Sequence, residues 1–345
     1  MRAKYVLIAL FLVGCATVEP DASGADQADA PSATDAGPPA LSNSAAYYAN
    51  YLRDSRLIPI GNGRALNLYC RGSGAPTVIL EAGLGGFAYD WRAVQERIAV
   101  NTRVCAYDRA GMGRSPIGPM PRDTRAQVAD LEALLASADV PGPYVLVGHS
   151  AGGYNVRVFA SRHLGDVAGI VMVDPSVVNQ LPRFVAALPN MAGQADGAIS
   201  YARACADPAR SAETAENCTR AAPEDFPEDL ARTFVASQGL DQARTFQSEI
   251  EAFINVDSDQ VEAEGRSLGA IPLIVLTRGE RSTNMTEEQA DTELRLWNEL
   301  HTEVARLSSR GSHRIVQGAG HYIQLDQPDA VVGAVLEVVE QARGH

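Results

Sequence analysis

The chain has 345 residues, which is enough for one large hydrophobic core or two modest ones. Its hydrophobic fraction of 46% and its charged fraction of 21% are ordinary for a globular protein. The formal net charge of −13 argues against a nucleic-acid partner, because phosphate binding requires clustered Lys and Arg.

The first fifteen residues have the pattern of an export signal. Arg2 and Lys4 give a positive start, and residues 5–13 form an apolar run that suits a signal peptide but is too short to span a bilayer. The run ends in Leu-Val-Gly-Cys at residues 12–15, which resembles the lipobox of bacterial lipoproteins. We therefore expect export to the bacterial cell envelope and a lipid anchor on Cys15, with outer-membrane sorting because no Asp follows the Cys. An ordinary signal peptide with an incidental Cys is the alternative.

Residues 16–45 are predicted to form a disordered tether. They are rich in Ala, Asp, Pro, Ser and Gly and contain no Lys or Arg. Such a segment buries too little apolar surface to offset its chain entropy.

Strands and helices alternate in the next part of the chain. Short apolar runs predict strands at residues 57–60, 65–70, 77–80, 103–107, 144–147 and 167–173. Apolar residues at helical spacing predict helices at residues 90–100, 123–138 and 151–163. Strands that are this continuously apolar suit a parallel sheet covered by helices on both faces.

The alternation stops at residue 175, and residues 175–268 show helical patterns without convincing strands. It resumes with strands at residues 271–277 and 314–316 and helices at residues 287–307 and 328–342. The pattern predicts one α/β core, residues 46–174 and 269–345, with an inserted helical cap.

Ser150 is the predicted nucleophile. It lies at the centre of Gly-His-Ser-Ala-Gly, residues 148–152, after a buried strand and before a helix. This strand–turn–helix context is the one that a G-x-S-x-G nucleophile elbow requires. The N-terminus of the following helix directs N–H groups and a positive dipole end towards the Ser oxygen.

A serine nucleophile needs a base, and His321 is the predicted one. It follows Gly-Ala-Gly at residues 318–320, in the loop between the last strand and the last helix. His149 is expected to point away from Ser150 and to pack in the core. The remaining histidines are expected on helices, at a strand start or at the terminus, and they are His163, His301, His313 and His345.

Two backbone N–H groups are needed to stabilise the negative charge that develops on an acyl carbonyl oxygen. One is predicted from Ala151, directly after the nucleophile. The other is predicted from the Gly-rich loop at residues 81–86, where Leu84 is the first choice and Gly85 the second.

These features together resemble the α/β-hydrolase superfamily over residues 57–342. Residues 108–115, Asp-Arg-Ala-Gly-Met-Gly-Arg-Ser, also look like the D-x-x-G-x-G-x-S turn of that superfamily. The resemblance implies a mostly parallel eight-stranded sheet, the chain order Ser, acid, His, and a structural role for Asp108 and Arg109 beside the active site. It implies no metal or other cofactor.

The sequence offers candidates for the acid of the triad at the ends of two strands. Many relatives carry it in a G-x-x-D pattern after the seventh strand, but this chain has Ser282 at that position. Asp174 follows the sixth strand, from which some relatives take their acid, and is favoured. Glu280 is the main alternative, followed by Asp257 and Asp259.

The expected reaction is transfer of an acyl group to water through an acyl-enzyme, with a small carboxylic ester as the favoured substrate; thioesters, lactones and amides remain open. Epoxide hydrolases and haloalkane dehalogenases of this fold use Asp at the elbow, so Ser150 argues against both. A wall of apolar cap residues against the substrate, or else simple cap core, is expected from Phe184, Leu188, Met191, Phe226, Phe234 and Phe253.

Two other functions are possible. A proline-iminopeptidase-like aminopeptidase needs a carboxylate pair in the cap, for which Glu249 and Glu251 are candidates. A non-catalytic surface lipoprotein that binds a partner is favoured only by the missing acid at residue 282.

Four cysteines remain once Cys15 is set aside, and an even number in an exported protein suggests two disulfides. In the resembled fold the strand order is 1-2-4-3-5-6-7-8, so Cys70 and Cys105 lie on neighbouring strands and are expected to pair. Cys205 and Cys218 are expected to pair within the cap. Buried free thiols at residues 70 and 105 are the alternative. No cysteine spacing suggests a metal site.

The lipid anchor can be tested by metabolic labelling. The wild-type chain, expressed in a bacterial host, should incorporate radiolabelled palmitate, because the acyl groups attach to the Cys15 residue. The Cys15→Ser variant should incorporate none, and equal labelling of both proteins would rule out lipidation at this position.

Overall fold

The computed structural model of the chain describes residues 43–264 and 267–344. The predicted signal peptide, the Cys15 lipid site and the predicted tether up to residue 42 lie outside the described residues. The described part begins with helix α1, Asn43–Asp54, so the last three residues assigned to the tether are helical.

An eight-stranded sheet in the order β1-β2-β4-β3-β5-β6-β7-β8 forms the centre of the molecule. Strand β2 runs antiparallel to its neighbours β1 and β4, and the remaining pairs are parallel. This confirms the predicted fold class and strand order. The strands are β1 Arg56–Gly61, β2 Arg64–Arg71, β3 Thr77–Glu81, β4 Val104–Asp108, β5 Tyr144–His149, β6 Val167–Val173, β7 Leu273–Arg278 and β8 Gly311–Val316.

Helices occupy both faces of the sheet. The core helices after α1 are α2 Gln95–Ile98, α3 Thr124–Ser137, α4 Gly152–Arg162, α11 Glu287–Ala305, α12 Ile323–Asp326 and α13 Pro328–Arg343. The helix predicted over residues 90–100 is instead a short 3-10 helix, Ala88–Trp91, followed by α2. None of the helices in the described ranges is long and apolar enough to cross a membrane.

The segment between β6 and β7 is helical in the described residues, as the pattern over residues 175–268 predicts. Its helices are α5 Gln180–Ala187, α6 Met191–Ala206, α7 Ala212–Asn217, α8 Glu228–Ala236, α9 Leu240–Asn255 and α10 Asp257–Glu264. We refer to α5–α10 and their connections as the cap.

Alternate side chains of each central strand enter two different hydrophobic cores. In β5, Val145 and Val147 face the core that contains Val335 and Val338 of α13, whereas Leu146 faces the core on the opposite side of the sheet. Burial on both faces explains why these strands are continuously apolar. The carboxyl ends of the parallel strands therefore meet along one edge, where the site residues lie.

Helix α1 was not predicted, because tyrosines rather than aliphatic residues form its buried side. Tyr47, Tyr48 and Tyr51 are at most 2% exposed. The ring of Tyr48 lies 5.5 Å from that of Phe226 and 5.2 Å from that of Phe234 in the cap. Helix α1 thus packs against the cap as well as the core.

The structure contains two disulfides, one in the core and one in the cap. Cys70 and Cys105 are directly opposite each other on the antiparallel strands β2 and β4. Cys205 and Cys218 join the C-terminal part of α6 to the residue after α7, across a separation of 13 residues. These are the pairs expected from the sequence, and the second one fixes a cap helix, α7, that has no buried residue of its own.

Candidate active site

Ser150 occupies the turn between β5 and α4 in a left-handed backbone conformation, with φ +52°. A Cβ atom at Gly148 would lie 2.8 Å from the carbonyl oxygen of Gly152, and one at Gly152 would lie 2.6 Å from that of Glu81. Larger residues at the two flanking positions would therefore clash. The tight turn presents Ser150 at the carboxyl edge of the sheet, as the elbow pattern predicts.

His321 and Asp174 form a short, buried hydrogen bond. His321 lies in the loop between β8 and α12, and Asp174 directly follows β6. The Nδ1 atom of His321 is 2.6 Å from Oδ2 of Asp174, and both residues are at most 4% exposed. Since the carboxylate accepts, Nδ1 carries the proton. The other ring nitrogen, Nε2, is buried and has no hydrogen-bond partner among the described residues.

Backbone hydrogen bonds hold Ser150 beside the strand end that carries Asp174. The N–H of Ser150 donates to the carbonyl oxygen of Val173 at 3.1 Å, and the N–H of Ser176 donates to the carbonyl oxygen of Ser150 at 2.8 Å. The neighbouring His149 reaches His321: its Nε2–H donates to the His321 carbonyl oxygen at 3.0 Å. The three predicted residues therefore meet at one edge of the sheet.

The carboxylate of Asp174 is held by four donors. Besides His321, the backbone N–H of Arg278 and the indole N–H of Trp297 donate to Oδ1 at 3.1 and 2.9 Å, and the Arg278 guanidinium donates to Oδ2 at 3.1 Å. Burial alone would raise the pKa of Asp174, but the charge of Arg278 and the hydrogen bond from His321 outweigh it and hold the pKa well below its usual range. Asp174 is thus an ionised carboxylate inside the protein.

A second carboxylate shares the Arg278 guanidinium with Asp174. The Arg278 guanidinium also donates to Glu293, which accepts a further bond from the Ser282 hydroxyl at 2.8 Å. Sequence reasoning missed Arg278, Glu293 and Trp297. Glu293 and Trp297 are four residues apart on α11, so they share one face of that helix. The sequence signal for them was the placement of Glu293 and Trp297, an acidic residue and an indole, on one face of a helix beside β7.

Among the described residues, none of the other acid candidates is hydrogen-bonded to the His321 side chain. Glu280 is exposed, and its backbone N–H, rather than its side chain, contacts the His321 loop, by donating to the carbonyl oxygen of Ala319 at 3.0 Å. Asp257 accepts a hydrogen bond from the backbone N–H of Thr124 at 2.8 Å, and Asp259 lies on the same helix, α10. The geometry supports Asp174.

The remaining histidines have other partners. His163 contacts Glu132 at 2.9 Å, and His301 donates from Nε2 to the carbonyl oxygen of Pro175 at 2.8 Å. His313 and His301 both contact the Thr277 hydroxyl, at 2.7 and 2.6 Å. His345 is outside the described residues.

The loop predicted to bind the oxyanion lies against Ser150. A Cβ atom on Gly83 would be 3.1 Å from Cβ of Ser150. The N–H of Gly85, the second choice, donates to Oε2 of Glu249 in the cap at 2.9 Å. Within residues 43–264 and 267–344, the N–H groups of Leu84 and Ala151 have no hydrogen-bond acceptor. The N–H groups of Leu84 and Ala151, the predicted oxyanion donors, therefore remain available to a ligand oxygen.

The six cap residues expected to form an apolar wall, or else simple cap core, lie inside the two hydrophobic cores. All six are at most 8% exposed; for example, Phe184 packs on Trp297 with ring centroids 5.3 Å apart. A small pocket beside Leu84 and Ala151 has a mostly polar lining. Its polar lining consists of Arg109, Thr124, Gln127, Asn155, Glu249 and Asp257.

In the described part of the chain, no group of three or more His, Cys, Asp or Glu side chains is arranged to hold a metal ion.

The sheet topology and the elbow define a hydrolase of the α/β type. The model of the alpha/beta hydrolase family matches residues 78–334, and the chain belongs to this family. The uncharacterised protein YqjL of Bacillus subtilis strain 168 is 25% identical over 268 residues, which are 78% of this chain and 85% of that protein.

Two similar solved structures are a thermophilic esterase from Thermogutta terrifontis and the epoxide hydrolase CorEH. The esterase has a TM-score of 0.59 and 20% identity, covering 84% of this chain and 99% of that one. The epoxide hydrolase has a TM-score of 0.56 and 17% identity, covering 82% and 97%. At these identities the similarity shows the fold, and the chemistry must be argued from the site.

A pH-dependent stability experiment can test the protonation of His149. Burial, together with the nearby His321, lowers the pKa of His149 from 6.5 to about 3. The unfolded chain therefore binds this proton first, and stability is lost as the pH falls below 6.5. Between pH 6.5 and 4.5, the wild type should lose about 2 kcal/mol of unfolding free energy relative to a His149→Gln variant.

Chemical denaturation of both proteins at each pH measures this difference. Burial also lowers the pKa of His301 to about 4 and raises that of Asp257 to about 7, but both groups are present in both proteins and their effects cancel. A difference that does not change with pH would contradict a neutral, buried His149.

Proposed function

We propose that the protein is a serine hydrolase that cleaves a carboxylic ester through an acyl-enzyme on Ser150. The observation that carries this proposal is the 2.6 Å bond between His321 Nδ1 and Asp174, which leaves His321 Nε2 without a partner at the edge where Ser150 lies. A base held in one tautomer, with its second nitrogen available, is what a serine nucleophile needs.

The site residues account for both halves of the reaction. His321 Nε2 takes the proton of the Ser150 hydroxyl while Oγ attacks the ester carbonyl carbon. The N–H groups of Leu84 and Ala151 stabilise the negative carbonyl oxygen, and the proton passes from His321 to the departing alcohol. Water then attacks the acyl carbon with His321 as base. The bond to Ser150 Oγ breaks, His321 returns its proton to Oγ, and the acid is released. Asp174 stays ionised and stabilises the protonated His321.

The nucleophile distinguishes between the chemistries of the two solved neighbours. Epoxide hydrolases of this fold attack with an Asp carboxylate, whereas the elbow of this chain presents Ser150. A serine alkoxide suits a carbonyl substrate, which supports an ester over an epoxide.

The two alternative functions are less well supported. Glu249 is paired with Arg109, and Glu251 with Arg203 at 2.8 Å, so the two carboxylates do not form a free pair for an amino terminus. A non-catalytic binding protein was favoured by the absence of Asp at position 282. Asp174 bonded to His321 removes that argument.

We propose further that the enzyme is exported and lipid-anchored through Cys15, on the basis of the N-terminal sequence pattern. The two disulfides support an oxidising compartment, because such bonds are rare in reducing cytosol.

Substitution of the proposed catalytic residues tests the reaction. Ser150→Ala and His321→Ala should each reduce hydrolysis of p-nitrophenyl acetate by on the order of 10³-fold or more, because the two side chains act as a unit. Ser150→Ala should also abolish covalent labelling by a fluorophosphonate.

The acid is tested by a matched pair of neutralising changes. Asp174→Asn should lower kcat strongly, since the amide cannot orient and stabilise a protonated His321. Glu280→Gln, at the exposed alternative position, should leave kcat within about twofold. Wild-type turnover by Ser150→Ala would refute the proposed nucleophile, and the reverse ranking of the two acid variants would move the acid to Glu280.

A further inference from the structure

Arg109, in the turn after β4, is the centre of a buried network beneath the Gly-rich loop. Its guanidinium donates to the carbonyl oxygens of Ala82 and Gly83 at 2.7 and 2.6 Å. It also forms ion pairs with Glu81 at 2.9 Å and with Glu249 of α9 at 2.8 Å. Arg109 and both glutamates are at most 4% exposed.

These contacts determine which N–H group of the loop remains available. Gly83 C=O and Leu84 N–H belong to one planar trans peptide unit, so they point in opposite directions. Because Arg109 holds the Gly83 oxygen, the Leu84 N–H is directed away from Arg109. The N–H of Gly85 donates to Glu249, and that of Gly86 donates to the Gly83 oxygen at 3.0 Å. Leu84 is left with an uncommitted N–H.

Helix α9 of the cap supplies half of this arrangement. Besides Glu249, it places Phe246 directly over Gly85, where a Cβ atom would lie 2.8 Å from the phenyl ring. Thr245 of the same helix lies still closer to Gly111, in the turn that carries Arg109. The cap thus contacts both the loop and the residue that orients it.

We propose that Arg109 and Glu249 are positioning residues that aim the Leu84 N–H at the oxyanion, so that the oxyanion hole is complete only when α9 is seated on the loop. The proposal rests on the proposed function, since it assigns a task within that reaction. Both side chains act through the backbone of residues 82–85, whose atoms they contact directly.

Stability alone does not require this choice of residues. A buried ion pair costs desolvation, and well-packed apolar residues are often at least as stabilising. What the carboxylate of Glu249 adds is three accepted bonds, two from Arg109 and one from the Gly85 N–H. An amide has one oxygen and one N–H₂ group, so Gln cannot accept from all three donors.

The test compares Glu249→Gln with Glu251→Gln, the same change two residues along α9. Glu251 is partly exposed and pairs with Arg203 at the surface. In Glu249→Gln, Arg109 keeps its ion pair with Glu81, which favours a folded variant. Each protein is assayed for kcat and KM with p-nitrophenyl acetate, for the inhibition constant of phenylboronic acid, and for its melting temperature.

Glu249→Gln should lower kcat by about 10- to 100-fold, because misdirection of one oxyanion donor approaches the cost of its removal. Affinity for phenylboronic acid, which forms a tetrahedral adduct on the serine, should fall by a comparable factor. KM should change less than about twofold, since the ground-state carbonyl depends little on this donor. Glu251→Gln should match the wild type in every measurement.

A folded Glu249→Gln variant with wild-type kcat and boronate affinity would overturn the proposal, as would a loss confined to KM or to the melting temperature. If this variant does not fold, Arg109→Lys gives the same test, because it keeps the buried charge but loses the fork that spans the Ala82 and Gly83 oxygens. It should show the same split between kcat and KM, and an unchanged kcat would overturn the proposal. Failure of the proposed function would instead appear in the wild type, as absence of ester hydrolysis.

Discussion

The hydrogen bond between Asp174 and His321 is the interaction on which the rest of the site depends. It requires an ionised carboxylate inside the protein, which would be costly without partners. Arg278 provides a positive charge and Glu293 a second negative one, so the three buried groups carry a net charge of about −1. In the proposed reaction, protonation of His321 would then neutralise the cluster instead of adding an unbalanced charge.

The cap is joined to this site through polar contacts as well as through packing. Its apolar residues pack inside the two cores, and Phe226 and Phe234 contact α1 through Tyr48. Its one buried carboxylate in α9, Glu249, reaches the Gly-rich loop. The placement of the cap and the geometry of the Gly-rich loop are therefore coupled. The lining of the small pocket beside Leu84 is mostly polar.

The fold and the tight turn at Ser150 were predictable because they depend on local patterns. The continuously apolar strands indicated a sheet that is buried on both faces, and the small residues around Ser150 indicated a tight turn. Helix α1 was missed because its buried face is made of tyrosines, which pattern reading counts as weakly apolar.

The sequence left the acid open because both candidates follow strands that end at the same edge. Asp174 reaches His321 from a left-handed backbone position, with φ +44°, and such a conformation is not encoded by a pattern in an Asp-Pro sequence. Its partners Arg278 and Trp297 come from elements more than 100 residues away. The arrangement around Arg109 and Glu249 likewise joins distant elements, which only the folded chain brings together.

Trapping the covalent intermediate tests the central claim most directly. The wild type would be mixed with p-nitrophenyl acetate, quenched in acid within milliseconds and digested, and the peptides would be analysed by mass spectrometry. We predict one acetyl group on the peptide that contains Ser150, with fragment ions that assign it to that hydroxyl, and its absence after complete turnover. Hydrolysis without any acetylated peptide, or an acetyl group that accumulates on another residue, would contradict the account.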